Sequence, residues 1–341
     1  METRKVQITG KSTFIVSLPK KWARNVKINS GDSVMMVPLP DGTLLIDPRV
    51  SMREKEATKK VITLDTQDGE TLFRTFIGAY LAGFNIIEFR SASQITRTMR
   101  QEVRDLARKV IGPEVVDETP NSITFNDLLD ASDFSLSKGV RRMHIIAKNM
   151  HQNAMSVFET HDQDLVSDVE ARDDEVDRLY WLVAKQHNMV LKDASFADRI
   201  GATSQEATDF LLVARSLERI ADHATRIARN SSNIERNNGM LEKVMEASEI
   251  LMELLDDAMR SFGQNRPEYA FEVMNRSSEL MKITSKLLQE VLSMGGDAQS
   301  IVSMAYIVDS IERTRSYTED IAETTIDYQF VKETSSNGNS H

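Results

Sequence analysis

The strongest constraint on how this chain folds is a helix-patterned stretch that occurs twice. Residues 216–229 read SLERIADHATRIAR and residues 310–323 read SIERTRSYTEDIAE, sharing a Leu/Ile-Glu-Arg opening and an Ile-Ala near the end. Upstream of each, DVEARDDEVD at 168–177 runs in register with EVMNRSSELM at 272–281. Offsets of 94 and 104 residues are those of one duplicated unit. In the first copy, Leu217, Ile220, Ala221, Ala224 and Ile227 make an apolar helical stripe, while Glu218 and Asp222 sit one turn apart on another face. A stripe of that kind must be covered by neighbouring helices.

The rest of the region agrees. Apolar residues recur at helical spacing over 137–160, 163–189, 204–234, 241–262, 267–293 and 298–330. Breaks fall at Asp162, at 198–203, at Asn237-Asn238-Gly239, at 264–267 and at Gly295-Gly296-Asp297. Six long helices with short connectors predict two three-helix bundles, at 134–236 and 239–330. Residues 331–341, ending SSNGNSH, are polar and are expected to be disordered.

The N-terminal part has a different period. Over 4–48, short β-rich runs alternate with turn signals: strands at 5–9 and 13–18 about Gly10-Lys11-Ser12, a helical turn over 20–25 opened by Pro19, and a hairpin of 34–38 with 44–47 across Asp41-Gly42. Phe14, Val16 and Leu18 share one face of the second strand. So short a module buries little alone, which predicts an intertwined homodimer. Residues 49–58 are charged and unpatterned, a linker. Residues 59–130 read β-α-β-α-β-β, a small α+β unit without a phosphate loop or nucleophile motif. Its second helix has Arg97, Arg100, Arg104 and Arg108 on one face, a solvated face balanced by Glu102 and Asp105.

Charge separates these parts. The chain carries a net −10, yet residues 1–28 hold Arg4, Lys5, Lys11, Lys20, Lys21, Arg24 and Lys27 against Glu2 alone. A basic end on an acidic body points to a polyanion partner for that end. Cysteine is absent, removing disulfides, thiolate metal sites and cysteine nucleophiles. No apolar run approaches the length of a membrane span, and no signal-peptide core follows the first basic residues, so a cytoplasmic protein without membrane insertion is expected.

Two resemblances add to this. ITGKSTFIVSLPKKWARNVKINSGDSV followed by DGTLLIDP resembles the AbrB/SpoVT swapped-hairpin DNA-binding module, in its SLPKKW variant. It implies dimeric binding of double-stranded DNA through Arg4, Lys5, Lys11, Lys20, Lys21 and Arg24; the alternative is a dimerisation module without DNA binding. VEARDDEVDRLYWLVAKQ and LERIADHATRIA resemble the first repeat of the PhoU family, tandem three-helix bundles that regulate phosphate uptake. Some members bind iron or other divalent metals through E/D-x-x-x-D motifs on paired helices. Matched by position, the implied ligands are Asp173, Asp177, Glu218 and Asp222, with Glu170 and Asp174 beside them, for iron, manganese, zinc, magnesium or calcium. Two solvated faces are the plain alternative.

This sequence departs from the pattern. Arg226 and Arg229 stand where the family commonly has Asn and Glu, and offer the acids ion pairs. In the second copy, Ser277, Ser278, Met281 and Ser316 replace Asp173, Asp174, Asp177 and Asp222, which leaves Glu312, Glu319 and Glu323 as solvated acids. His223 reads as an interhelical or surface histidine before a ligand. No constellation marks an enzyme.

The combination resembles that of archaeal phosphate-uptake regulators, which implies a multidomain, mainly α chain with a β-rich AbrB-like domain, a small α+β unit and PhoU-like tandem bundles. The expected function is a DNA-binding transcriptional regulator of phosphate homeostasis acting with a phosphate ABC transporter ATPase or a sensor kinase. The alternatives are a PhoU-type adaptor that does not bind DNA and a metal-binding sensor or storage protein.

Overall fold

The computed structural model describes residues 2–10, 12–38, 42–48, 57–64, 68–234, 239–295 and 297–337. The chain divides into two units, residues 57–334 and residues 1–56 with 335–341.

In the N-terminal unit, β1 (Gln7–Thr9) and β2 (Thr13–Ile15) pair antiparallel with Ile8 opposite Phe14. Gly10 supplies the positive φ that the turn requires. Helix α1 (Lys20–Asn25) follows Pro19, and β3 (Met35–Pro38) pairs antiparallel with β4 (Leu44–Asp47). The first two strands are shorter than the sequence pattern predicts. Apolar side chains of this unit are exposed: Phe14 is 71% and Ile8 65% exposed, and Val6, Val16, Met36 and Leu44 are exposed as well. The reading of 49–58 as a linker lies mostly outside the described residues. Thr58 belongs to the next sheet, its carbonyl accepting from Ile86 N at 3.0 Å.

The second unit opens with a four-stranded sheet, order β5-β6-β8-β7, of β5 (Lys59–Thr63), β6 (Ile86–Arg90), β7 (Pro113–Thr119) and β8 (Ser122–Asp127). Strands β5 and β6 run parallel because α2 (Gly69–Leu81) crosses between them; the other pairs are antiparallel. Asp68 caps α2 and Thr96 caps α3 (Arg97–Arg108), each accepting a backbone N–H three residues on. Phe76, Phe89 and Phe125 form the centre of this core, with ring centroids 5.5 to 6.0 Å apart. The basic face of α3 is neutralised differently from the expectation. Arg100 and Arg104 both pair with Glu118 of β7, and Asp105 takes Arg108 at 3.0 Å.

The remaining chain is helical. Helices α4 (Leu136–Thr160), α5 (Gln163–Lys192) and α7 (Ser204–Ser231) form the first bundle, and α8 (Leu241–Gln264), α9 (Pro267–Ser293) and α10 (Ala298–Asn337) the second. One apolar core runs through both. Thr203 and Glu206 make a capping box at the start of α7, and Pro267 occupies the first turn of α9. Two departures stand out. A short helix, α6 (Ala194–Ile200), fills part of the expected break, capped by Asp193 and stopped by Gly201 at φ 64°. Helix α10 continues to Asn337, past the expected end at Phe330, since 331–337 contain no glycine or proline; residues 338–341 lie outside the described ones. The break at Asn237-Asn238 also falls outside them.

The sheet is anchored to α5. Lys185 and Asp127 form an ion pair with side chains 4% and 6% exposed, and Lys185 Nζ lies 4.6 Å from the centroid of the Tyr80 ring. Asn188 Nδ2 and Lys192 Nζ donate to the carbonyls of Leu81 and Ala82 at 3.2 and 3.3 Å. Gly112, at φ 114°, lies so close that any Cβ there would collide with the Asp127 carboxylate. Among the described residues no helix is long and apolar enough to cross a membrane.

Candidate acidic site between α5 and α7

Helical spacing gathers the acids of α5 and α7 into rows, and packing of the two helices brings the rows together. Glu170, Asp173, Asp174 and Asp177 come from α5, Glu218 and Asp222 from α7. The stripe beneath is secure: Val169, Val176, Leu217, Ile220, Ala221, Ala224 and Ile227 are fully buried. Rigid helices with buried footings therefore hold these carboxylates at a fixed interface.

The six acids divide into two groups. Glu170 and Asp174 are neutralised, Glu170 accepting from Arg229 Nε at 2.6 Å and Asp174 from Lys109 Nζ at 2.7 Å. Asp173 and Asp177 have no hydrogen-bond or ion-pair partner among the described residues. Arg219 stands only 3.5 and 3.8 Å from Glu218 and Asp222, at the edge of ion-pair range. Arg226, expected to serve these acids, turns to Asp309 of α10 at 3.1 Å and lies over the Tyr306 ring at 4.5 Å.

Burial, only partly offset by the charges of Arg219, Arg229 and Lys109, shifts the acids upward. Asp173 is pushed up to about 7, first by burial and then by the charges of Asp177, Asp222 and Asp174. Glu218 rises to about 7 by burial and the neighbouring Asp222, and Asp177 to about 6 by burial and Asp222. Asp222 is raised by burial, with Arg219 opposing. The interface is thus short of positive charge, and its acids hold protons more tightly than free carboxylates do. The donors fit such an ion chemically, being carboxylate oxygens presented from two helices. Among the described residues, no three carboxylates or imidazoles converge on one point as they stand. His223 packs against Tyr317, with centroids 5.9 Å apart, and burial pushes it down to about 4.

The second copy of the repeat differs from its expectation. Glu312 and Glu319 are not solvated acids; both grip Arg315, a buried residue that the sequence pattern did not single out. The available signal was its register, since Arg315 aligns with Ala221 in the apolar stripe.

In the N-terminal unit, Arg4, Lys5, Lys20, Lys21 and Arg24 are all exposed, the last three together on α1. Arg4 pairs with Glu2 at 2.6 Å, and the other four make no ion pair among the described residues. Lys11 lies outside the described residues.

The PhoU domain model matches residues 140–231 and 244–325, together just over half of the chain. The chain belongs to the PhoU family. The first match falls on α4 to α7 and the second on α8 to α10, so the sequence duplication is a duplication of PhoU domains. Two crystal structures share the fold. One is the phosphate transport system regulatory protein PhoU from Streptococcus pneumoniae, with a TM-score of 0.51 and 14% identity over 57% of this chain and 93% of that one. The other is PhoU from Pseudomonas aeruginosa, with a TM-score of 0.50 and 17% identity over 56% of this chain and 93% of that one. No curated protein matches the sequence.

Proposed function

We propose that this PhoU-family chain regulates phosphate uptake by binding operator DNA as a homodimer through its N-terminal unit, while the PhoU bundles report phosphate status. One observation carries the DNA half. On a chain of net charge −10, seven cations against one acid occupy residues 1–28, and Lys5, Lys20, Lys21 and Arg24 stand exposed, with no ion pair among the described residues. Together with Arg4 and Lys11 they are the phosphate contacts that the likeness of residues 4–48 to the AbrB/SpoVT module assigns. Exposed cations without local acids bind polyanions, whereas a merely solvated face is usually mixed in sign. The exposed Phe14, Ile8 and Val16 supply the apolar surface on which two copies would join.

Asp173, Asp177, Glu218 and Asp222 would hold one divalent cation or iron between α5 and α7, with Glu170 and Asp174 at the rim. Its contribution is charge compensation that ties the two helices together; the chain's own residues suggest no catalytic use. Phosphate status would reach the bundles through a partner, a phosphate ABC transporter ATPase or a sensor kinase.

A second reading has its own support. The PhoU model matches only within the helical bundles, and one solved neighbour is named a phosphate transport system regulatory protein, so an adaptor whose N-terminal unit only dimerises fits equally well. A genome-wide map of bound promoters under high and low phosphate separates the two. Occupancy at phosphate-transporter promoters is expected, and absence of any promoter enrichment leaves the adaptor.

A further inference from the structure

The second PhoU domain already contains a cation. The Arg315 side chain is 8% exposed. Its Nε donates to Glu312 Oε1 at 2.9 Å, and its Nη2 lies 2.8 Å from the same oxygen. Its Nη1 donates to Glu319 Oε2 at 2.5 Å and to Ser277 Oγ at 2.6 Å. The other Glu312 oxygen accepts from Thr284 Oγ1 at 2.5 Å. Two carboxylates of α10 and the Ser277 hydroxyl of α9 thus hold one guanidinium, with Thr284 bracing Glu312 from behind, and its three nitrogens are all used.

The internal repeat says what this cage corresponds to. Ser277 occupies the register position of Asp173, and Glu312 that of Glu218. Arg315 itself stands where the first repeat has the fully buried Ala221. Both repeats therefore bring polar oxygens from two helices to one interface. At that interface the first has four under-compensated carboxylates and, among the described residues, no buried cation between them; the second has fewer acids and a guanidinium between them. Serines in place of aspartates fit this, because a planar guanidinium with five N–H donors needs acceptors but not four negative charges.

We propose that Arg315 is the resident cation of the second repeat, holding permanently the place that an exchangeable cation takes in the first. The chain then takes up an external ion in one repeat only, so the α5–α7 contact responds to cation supply while the α9–α10 contact does not. The half concerning the first repeat rests on the cation site described under Proposed function; the half concerning Arg315 stands on its own cage.

The test uses the full chain carrying Asp173→Asn and Asp222→Asn, which removes the first repeat's contribution. In that background Arg315→Ala should melt roughly ten degrees lower, as expected for a broken buried ion pair. Manganese should restore much of the loss, with bound Mn2+ detected by electron paramagnetic resonance, and should leave the parent unchanged. Adding Glu312→Gln and Glu319→Gln to Arg315→Ala should also restore stability and abolish the manganese response. An unchanged melting point, or a loss that neither manganese nor the glutamines relieve, overturns the proposal. If Arg315→Ala does not fold, Arg315→Lys against Arg315→Met decides: the lysine should retain most of the stability, and equal melting of the two overturns the proposal. A wild-type chain that ignores manganese refutes the first-repeat site alone and leaves the Arg315 result standing.

Discussion

Asp173 is half-buried among three other acids, with only the charge of Arg229 opposing them, and it holds a proton more tightly than a free carboxylate. The sign of the consequence follows from its raised value. With a folded value of about 7 against an ordinary 3.8, the native state holds a proton that the unfolded chain has released, so cation-free protein loses stability as pH rises through this window. Urea unfolding at about pH 5 and about pH 8 in the presence of a chelator should show that decline. Asp173→Asn should flatten it and raise stability at the higher pH. The acids themselves were legible in the sequence, because spacing of three and four is a local property of one helix. Their partners were not: Arg229 does reach Glu170, but Arg226 reaches α10 instead, and Arg315 finds its acceptors partly on α9. Those choices depend on which helices become neighbours.

Among the elements, α5 does two jobs, lining the acidic site with its first half and carrying the sheet on its second. Helix lengths and the β-α-β-α-β-β order could be read from periodicity and caps, since both are set within each segment. The anchoring could not, because Lys185 sits in a row of apolar residues and its partner Asp127 is distant in sequence. Likewise α6 hides in a short segment whose only marks are the Asp193 cap and Gly201. Lys185→Met leaves Asp127 buried and unpaired, so a loss of about 3–5 kcal/mol is expected in denaturant unfolding. Adding Asp127→Asn should recover part of it, since a neutral amide is less costly to bury than a lone carboxylate.

For the whole molecule, the duplicated PhoU domains were visible as a repeat, and the basic N-terminus as a charge asymmetry. The exposed apolar side chains of the first hairpin had to await the structure, because burial within a chain of this length cannot be told from burial between two copies. Phe14→Asp should convert a dimer to a monomer in sedimentation equilibrium while leaving the helical signal unchanged, because a charge there opposes any apolar interface. Under the proposed function the exposed cations grip DNA phosphates, which the affinity of the intact protein for phosphate-transporter promoter DNA across a salt titration would test. Neutralising about six phosphates predicts a roughly thousandfold weakening between 50 and 200 mM salt, and Lys20→Ala with Arg24→Ala should lower the slope by about one for each contact removed. No binding at low salt, or a slope that these substitutions leave unchanged, would contradict it.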